Sequence, residues 1–564
     1  MSAYDVILLH PPAVYDFRSR PIFPGAMGRS VEVLQFNKVP VGMLSIAEYL
    51  DRFGFRTVVD NICDRMLTVP DFDVEKHIRT LDAPVFAVGM NFQQHAQGAL
   101  EIARLCKEIH PDVLVVMGGL TATYFHEEII AKYGFVDVVV RAEAEKPLLE
   151  LVRSYQKTGH VGGTPNLTYR AKISEVNNIS TTHEAQVANN GLVVTPLMEA
   201  SRDLDEFEFT RLDLLQPNTS VYVLGSVPRW SLVVCRGCSF DCTICGGSAY
   251  AYKKNFAMDH PAFRSPAKIV EDIEKLVTQG VRHIGLYQDP RAAGENYWPQ
   301  LRDLLMERKP NFERLSLDLL FPATEDFVRD VANISRNIIL HLCPDTGSDE
   351  VRHTLGRHYS SADVIETVKL CLKYKVPITN FFSVGLAGES EAEMQKTWEL
   401  WAELDALHME AAMQGLFSDI EEDVAIGGEV LGPIVLDPGS RAFDNPEECG
   451  YKLLYKNLED YVEALSQPSW HQWLNYETTL ANKASIIDMI QRSTEFVIGQ
   501  REITGFYSPS EAYYESCRVE ADRAVVEAID EFMKIPDARQ RDAHIIAIRQ
   551  NLDRLEKERM SFLE

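Results

Sequence analysis

Four cysteines fall within eleven residues, Cys235 to Cys245, and three of them, Cys238, Cys242 and Cys245, are spaced C-x3-C-x2-C just after an apolar stretch, SLVV. The other six, Cys63, Cys106, Cys343, Cys371, Cys449 and Cys517, are scattered, as small buried hydrophobes usually are. A tight group in a reducing compartment serves a metal or a cluster rather than disulfides. Thiolates are soft ligands that suit iron–sulfur clusters and zinc. Three thiolates on a cubane leave one iron open to a further ligand. Four, completed by Cys235, would close the site as structural zinc or as an electron-carrying cluster.

Other residues at strand ends and turns carry groups that a ligand could use. Gly246 and Gly247 follow the last cysteine and give room beside it. Asp289 ends a strand candidate, and Asp345 and Ser348 stand where a strand gives way to a helix. A carboxylate there can take hydroxyls or an ammonium group. Equally, Asp345 or Ser348 can start the next helix as its N-cap, and Asp289 can make the turn before Pro290. Gly385, in FFSVGLAGES, sits at another strand end and lets backbone approach a flat ligand.

The elements that position these residues are α/β. Residues 1–150 alternate short apolar strands (Asp5–Leu9, Thr57–Asp60, Val85–Met90, Val113–Met117, Val136–Val140) with amphipathic helices such as Met43–Phe53 and Gln97–Ile109. This pattern predicts a doubly wound, Rossmann-like parallel sheet, with its ligand beyond the C-terminal strand ends. Pro11, Asn91, His95, Gly118, Gly119, Thr121 and Glu143 lie at or beyond those ends. No G-x-G-x-x-G stretch follows the first strand, which argues against a dinucleotide. Residues 151–228 are a connector rich in Gly, Pro and Asn, with a small hairpin near Asn166–Arg170. Residues 229–430 resume the β/α rhythm. The strand candidates there are Ser231–Val234, His283–Tyr287, Leu315–Leu320, Ile338–Leu342, Thr379–Val384 and Met409–Phe417, which predict a partial (β/α)6 barrel. Residues 431–564 turn helical, with candidates Asn457–Ser466, Tyr476–Thr494, Ser510–Lys534 and Asp537–Lys557.

The composition excludes some functions. With 564 residues and a formal net charge of −27, the chain lacks the basic footprint of a nucleic-acid binder. No apolar run reaches the length of a membrane span. The N-terminus MSAYDVILLHPP carries no basic segment or cleavage site, so a cytoplasmic location is expected.

The loop CRGCSFDCTIC resembles that of the radical S-adenosylmethionine (SAM) superfamily, apart from Ile244, where relatives usually carry an aromatic residue, and the extra Cys235. Leu340–Ser360 resembles that family's ribose-and-methionine contact region, and Phe381–Ser390 its strand-and-turn stretch. The N-terminal domain resembles the cobalamin-binding domain fused to many such enzymes. HPP at His10–Pro12, VPVGMLSIAEYL at Val39–Leu50 and VVMGGLTAT at Val115–Thr123 carry that likeness, with Thr121 in place of histidine. RAEAE at Arg141–Glu145 replaces a Gly-Glu-Gly-Glu run. The DxHxxG motif that supplies a lower histidine ligand elsewhere is absent, so the cobalt is expected to lack that ligand; His95 could substitute, but it reads better as a helix-entry residue.

The resemblance implies a [4Fe-4S] cluster on Cys238, Cys242 and Cys245, and SAM near Gly246, Gly247, Asp289, Asp345, Ser348 and Gly385. It implies cobalamin near Pro11, Asn91, His95, Gly118, Gly119, Thr121 and Glu143. It further implies an external low-potential electron donor. The implied reaction is methylation of an unactivated carbon; cyclisation or rearrangement without methyl transfer, and a non-enzymatic sensor, are the alternatives. Nothing in the sequence distinguishes a small-molecule from a peptide substrate.

Overall fold

The computed structural model describes residues 2–25, 35, 40–161, 163–171, 186–187, 191–198, 200–217, 222–224, 227–417 and 428–563. The expectations drawn from Val39, Gly162 and the Asn177-Asn178 and Asn189-Asn190 pairs lie outside these residues.

The strands β1 (Val6–His10), β2 (Thr57–Asn61), β3 (Val85–Gly89), β4 (Leu114–Gly118) and β5 (Val138–Val140) are almost wholly buried, and all but β2, which carries Thr57, Asp60 and Asn61, are mainly apolar. Such runs are what a parallel sheet covered on both faces requires. They pair in parallel in the order β2-β1-β3-β4-β5. The direction of winding reverses between β1 and β3, which makes the C-terminal ends of those strands the crevice for a ligand. The connector extends this sheet. β6 (Leu167–Arg170), β7 (Gln186–Val187) and β8 (Leu192–Val194) add antiparallel strands at one edge, and β9 (Leu215–Gln216) joins β2 at the other. The expected hairpin is β6 with its partner β8.

A second sheet opens with β10 (Tyr222–Leu224), antiparallel to β11 (Val227–Val233). The short β12 (Cys235–Arg236) pairs antiparallel with β13 (Ala262–Phe263). β14 (His283–Tyr287), β15 (Arg314–Leu319), β16 (Ile338–Asp345), β17 (Ile378–Val384) and β18 (Gly428–Pro433) then follow β11 in parallel. Among the described residues β18 does not pair back with β11, so the six parallel strands form an open half-barrel. The sixth strand is not at Met409–Phe417. The helix Glu391–Met413, capped by Ser390, runs through most of that stretch and ends at Gly415, whose φ is +69°. The Met, Glu and Ala of MEAAM are good helix formers that simply prolong it.

The C-terminal region carries the helices Leu458–Leu465, Lys483–Ile503, Pro509–Phe532 and Ala538–Leu563, with a ribbon of β19 (Tyr451–Leu453) and β20 (Tyr476–Thr478). The helix expected from Tyr476 begins at Lys483, because Asn482 accepts the Ser485 N–H as its N-cap. One continuous apolar core joins both sheets and the C-terminal region, from Leu8 through Leu232 and Leu340 to Tyr476 and Ile486.

Candidate functional site

The three cysteines occupy the loop between β12 and the helix Ala249–Asn255, whose N-cap is Ser248. Backbone holds two of the sulfurs: Phe240 N–H donates to Cys238 Sγ and Gly247 N–H to Cys245 Sγ, each at 3.3 Å. Burial pushes all three thiols up, Cys245 to about 12, while Arg357 draws Cys238 and Cys242 back toward the thiolate. Cys235 differs. It is 7% exposed, donates to Gly237 O at 3.1 Å, and burial holds it firmly as a thiol. Among the described residues no three His, Cys, Asp or Glu side chains close on a single point tightly enough to chelate one ion. A cubane instead spreads its thiolates over separate corners. Three partly exposed thiols, two of them with backbone donors, and a fourth spent on its own loop, fit a three-thiolate cluster.

The loop is pinned from two sides. Thr243 N–H donates to Leu355 O (3.1 Å) and Thr243 Oγ1 to Thr354 O (2.9 Å). Gly246 N–H donates to Asp437 Oδ2 (3.0 Å), Ala442 N–H to Thr243 O (2.9 Å), and Arg441 pairs with Asp241. A Cβ at Gly246 would stand 2.8 Å from that of Asp437, so only glycine fits there.

The other residues expected around SAM divide into two groups. Gly247 and Asp345 lie against the cysteine loop. Asp345, at φ +61°, is held by Arg357 Nε at 2.6 Å; burial raises its carboxyl and Arg357 opposes the rise. Asp289, Ser348 and Gly385 are committed locally. Asp289 is fully buried, grips Arg291 through both oxygens and accepts Leu320 N–H at 3.0 Å. Ser348 is fully buried and caps the helix Asp349–Thr354 through Val351 N–H. Gly385, at φ +79°, has Ile486 and Tyr476 where a Cβ would stand, and its N–H donates to Glu389 Oε2 at 2.7 Å. Glu389 is buried, also accepts Leu386 N–H, and is pushed up to about 7 by burial.

A cavity of about 840 Å³ opens between the C-terminal strand ends of the first sheet and the inner face of the half-barrel. Asn91, His95, Gly118, Gly119 and Glu143 line it; Pro11 and Thr121 do not. Thr121 instead bonds Asn91 O through its N–H and hydroxyl, both at 3.2 Å. At Gly119, φ +115°, a Cβ would stand 2.5 Å from Met90 O, so only glycine fits there. His95 stands edge-on to His10, 5.5 Å between ring centres, and burial, with His95 beside it, lowers His10 to about 3. The N-terminal lobe of the cavity is apolar, walled by Leu8, Met43, Ile46, Ala87 and Val116. Backbone exposed at Gly89, Gly118 and Gly119, beside an apolar slot, fits a flat macrocycle with an appended base.

Some lining residues escaped the sequence reading. Arg236, next to Cys235, reaches across the cavity mouth to Glu143 (3.3 Å) and Glu145 (3.2 Å). Against the burial that would raise it, Arg236 and the Ser45 hydroxyl (2.7 Å) draw the Glu145 carboxyl down. Tyr252, Phe256 and Met258 cover the same mouth, and Arg229, His283, Arg314, Asp318 and His341 line the barrel wall. The available signal was polar residues at alternate positions of strands whose other face is core.

Comparison with known proteins agrees with this geometry. Residues 31–152 match the B12 binding domain family model and residues 232–400 that of the Radical SAM superfamily. An uncharacterized methyltransferase of Pyrococcus horikoshii is 22% identical over 374 residues, covering 65% of this chain and 73% of its own length. An anaerobic magnesium-protoporphyrin IX monomethyl ester cyclase of Rubrivivax gelatinosus is 26% identical over 253 residues, covering 43% of this chain and 40% of its own. Among solved structures, the radical SAM methyltransferase TsrM of Kitasatospora setae superposes with a TM-score of 0.57 at 15% identity, over 88% of this chain and 89% of that one. The cobalamin-dependent SAM radical enzyme OxsB gives 0.58 at 12% identity, over 99% and 80%. Among the described residues no helix is long and apolar enough to cross a membrane.

Proposed function

For this chain, which joins a B12-binding domain to a radical SAM domain and so belongs to the cobalamin-dependent radical SAM enzymes, we propose methylation of an unactivated carbon of its substrate. The observation that carries the reading is one cavity shared by the first sheet's strand ends and the barrel wall, lined also by Arg236 and Tyr252, which flank the cysteine loop in sequence. When bound, the cluster, SAM and cobalamin together supply an electron, hydrogen abstraction and a transferable methyl group.

The protein's part is placement and exclusion of water. Cys238, Cys242 and Cys245 hold the cluster, and Cys235 stays outside the ligand set. Gly246, Gly247 and the Asp345–Arg357 pair border the cosubstrate; Asp289, Ser348 and Gly385 fix the turns around it. Asn91, His95, Gly118, Gly119 and Glu143 border the corrin, with Pro11 and Thr121 behind them. Tyr252, Phe256 and Met258 close the mouth with apolar surface and keep water from reactive intermediates. An external low-potential reductant delivers the electron.

Likeness to the cyclase favours a second reading, oxidative cyclisation without methyl transfer. Anaerobic reconstitution with iron, sulfide and hydroxocobalamin, then turnover of SAM, separates the two. Methylation yields S-adenosylhomocysteine beside 5′-deoxyadenosine, and 5′-deoxyadenosine alone refutes it.

A further inference from the structure

The N-terminal lobe of the cavity lies along one face of the first sheet. Strand alternation puts Leu8 and His10 of β1, Ala87 and Gly89 of β3, and Val116 and Gly118 of β4 on that face, and all six line the cavity. Register sorts them into two rows. Leu8 pairs with Ala87 and Ala87 with Val116, so the deeper row is aliphatic. The row at the strand ends is His10, one step beyond the Leu9–Val88 pair, then Gly89 and Gly118, which pair with each other. It holds one imidazole beside two positions that have no side chain. The barrel lobe of the cavity, formed by β11, β14, β15 and β16, is polar, and a Cβ at Gly285 there would meet nothing within 4 Å.

His10 is the unexplained member of this row. It is 7% exposed, and its Nε2 has no hydrogen-bond partner among the described residues. Buried polar atoms are nearly always paired, because an unpaired one forfeits its hydration for nothing. Gln93, which opens the turn after β3, is also buried, and its amide oxygen and nitrogen both lack partners. Two orphaned polar side chains thus stand at the ends of β1 and β3, where the winding of the sheet reverses and a ligand belongs. His95 is placed differently. It packs against both His10 and Phe92, with ring centres 5.5 and 6.0 Å away, in the turn that leads into the helix Ala96–Ile109. Burial, with His95 beside it, keeps His10 a neutral imidazole. That is the form whose lone pair a transition metal takes.

The absent DxHxxG loop removes one histidine from below the cobalt, and the end of β1 supplies another. Resting on the B12-binding domain and not on the reaction assigned above, we propose that a ring nitrogen of His10 is the axial ligand of the cobalt on the face turned toward the first sheet. A flat macrocycle laid on the glycine row then has its metal tied to a core strand, and its other face is left to the barrel lobe. Imidazole is a suitable donor for such a metal.

The test reads the metal and not turnover. Full-length protein, unlabelled or grown with nitrogen-15 histidine, is loaded with cluster and hydroxocobalamin and reduced to the cobalt(II) state, with the cluster left oxidised and EPR-silent. Each cobalt hyperfine line should split into a triplet in unlabelled protein and a doublet in labelled protein. His10→Ala should lose the splitting while still taking up cobalamin. Should it take up none, the other imidazoles that line the cavity decide: His95→Gln and His283→Gln/His341→Gln should each keep the doublet. An unsplit wild-type spectrum overturns the proposal. So does a triplet that survives labelling, which assigns the nitrogen to the corrinoid's own base. A doublet that persists in His10→Ala, or vanishes in His95→Gln or His283→Gln/His341→Gln, overturns it as well. Wild type that takes up no cobalamin sinks the cofactor reading together with the ligand, whereas failure to cleave SAM sinks only the reaction.

Discussion

Replacing Arg236 by methionine should loosen the union of the two sheets more than any other single change near the cysteine loop. Its guanidinium lies between Glu143 and Glu145 and against the rings of Phe207 and Phe209, at 4.7 and 5.6 Å. Glu145 is 2% exposed, and without Arg236 its charge retains the Ser45 hydroxyl as its only side-chain donor in the bonds described here. Removing one member of a buried pair typically costs about 3–5 kcal/mol, because the other charge is left in a poor solvent. Adding Glu145→Gln removes that stranded charge, so the double variant should recover about half or more of the loss. Guanidinium unfolding followed by intrinsic fluorescence, with retained hydroxocobalamin read by absorbance, measures both effects. R236M should bind the corrinoid less tightly as well, because both glutamates line its cavity. A cost below about 1 kcal/mol with full cobalamin retention would refute the reasoning: the pair would then be an ornament of the interface.

Three further outcomes are expected. Cys235→Ala should retain the iron and sulfide content of the reconstituted wild type, whereas Cys238→Ala, Cys242→Ala or Cys245→Ala should lose most of it; iron assay and visible absorbance decide. Glu389, with its pKa raised by burial from 4.5 to about 7, stabilises the fold fully below pH 4.5, and that contribution is lost as pH rises through about 7. The contribution amounts to roughly 3 kcal/mol, and Glu389→Gln should abolish that part of the pH dependence of the melting temperature; an unchanged slope contradicts the assignment. Gly285→Leu adds bulk to open space in the barrel lobe, so it should leave the melting temperature and cobalamin content close to wild type while lowering product formation at least tenfold.

Much of this architecture was legible because its signals are local. A buried parallel strand is a short apolar run, and β1 to β4 and β14 to β17 stand within two or three residues of where periodicity places them. The cysteine loop is legible from side-chain type alone. The barrel wall was hidden for a geometric reason: Arg229, His283 and Arg314 are 54 and 31 residues apart in sequence and become neighbours only through strand register. Asp289 and Ser348 show the opposite difficulty. A carboxylate or hydroxyl at a strand end suits a ligand and a helix start equally well, and here burial and nearby N–H donors engage both locally. The Asp345–Arg357 pair spans a whole turn and helix, so neither residue announces the other. The sixth strand was misplaced because helix propensity in MEAAM overrode an apolar run.

Asp444 bonds Tyr124 of the first domain at 2.9 Å, and Tyr250 and Lys254 beside the cysteine loop at 3.0 and 2.5 Å. One carboxylate thus ties together three stretches of chain made at very different moments of translation. A chain cut short before residue 437 would lack Asp437, Arg441 and Ala442, and with them the Gly246, Asp241 and Thr243 contacts that pin the cysteine loop on that side.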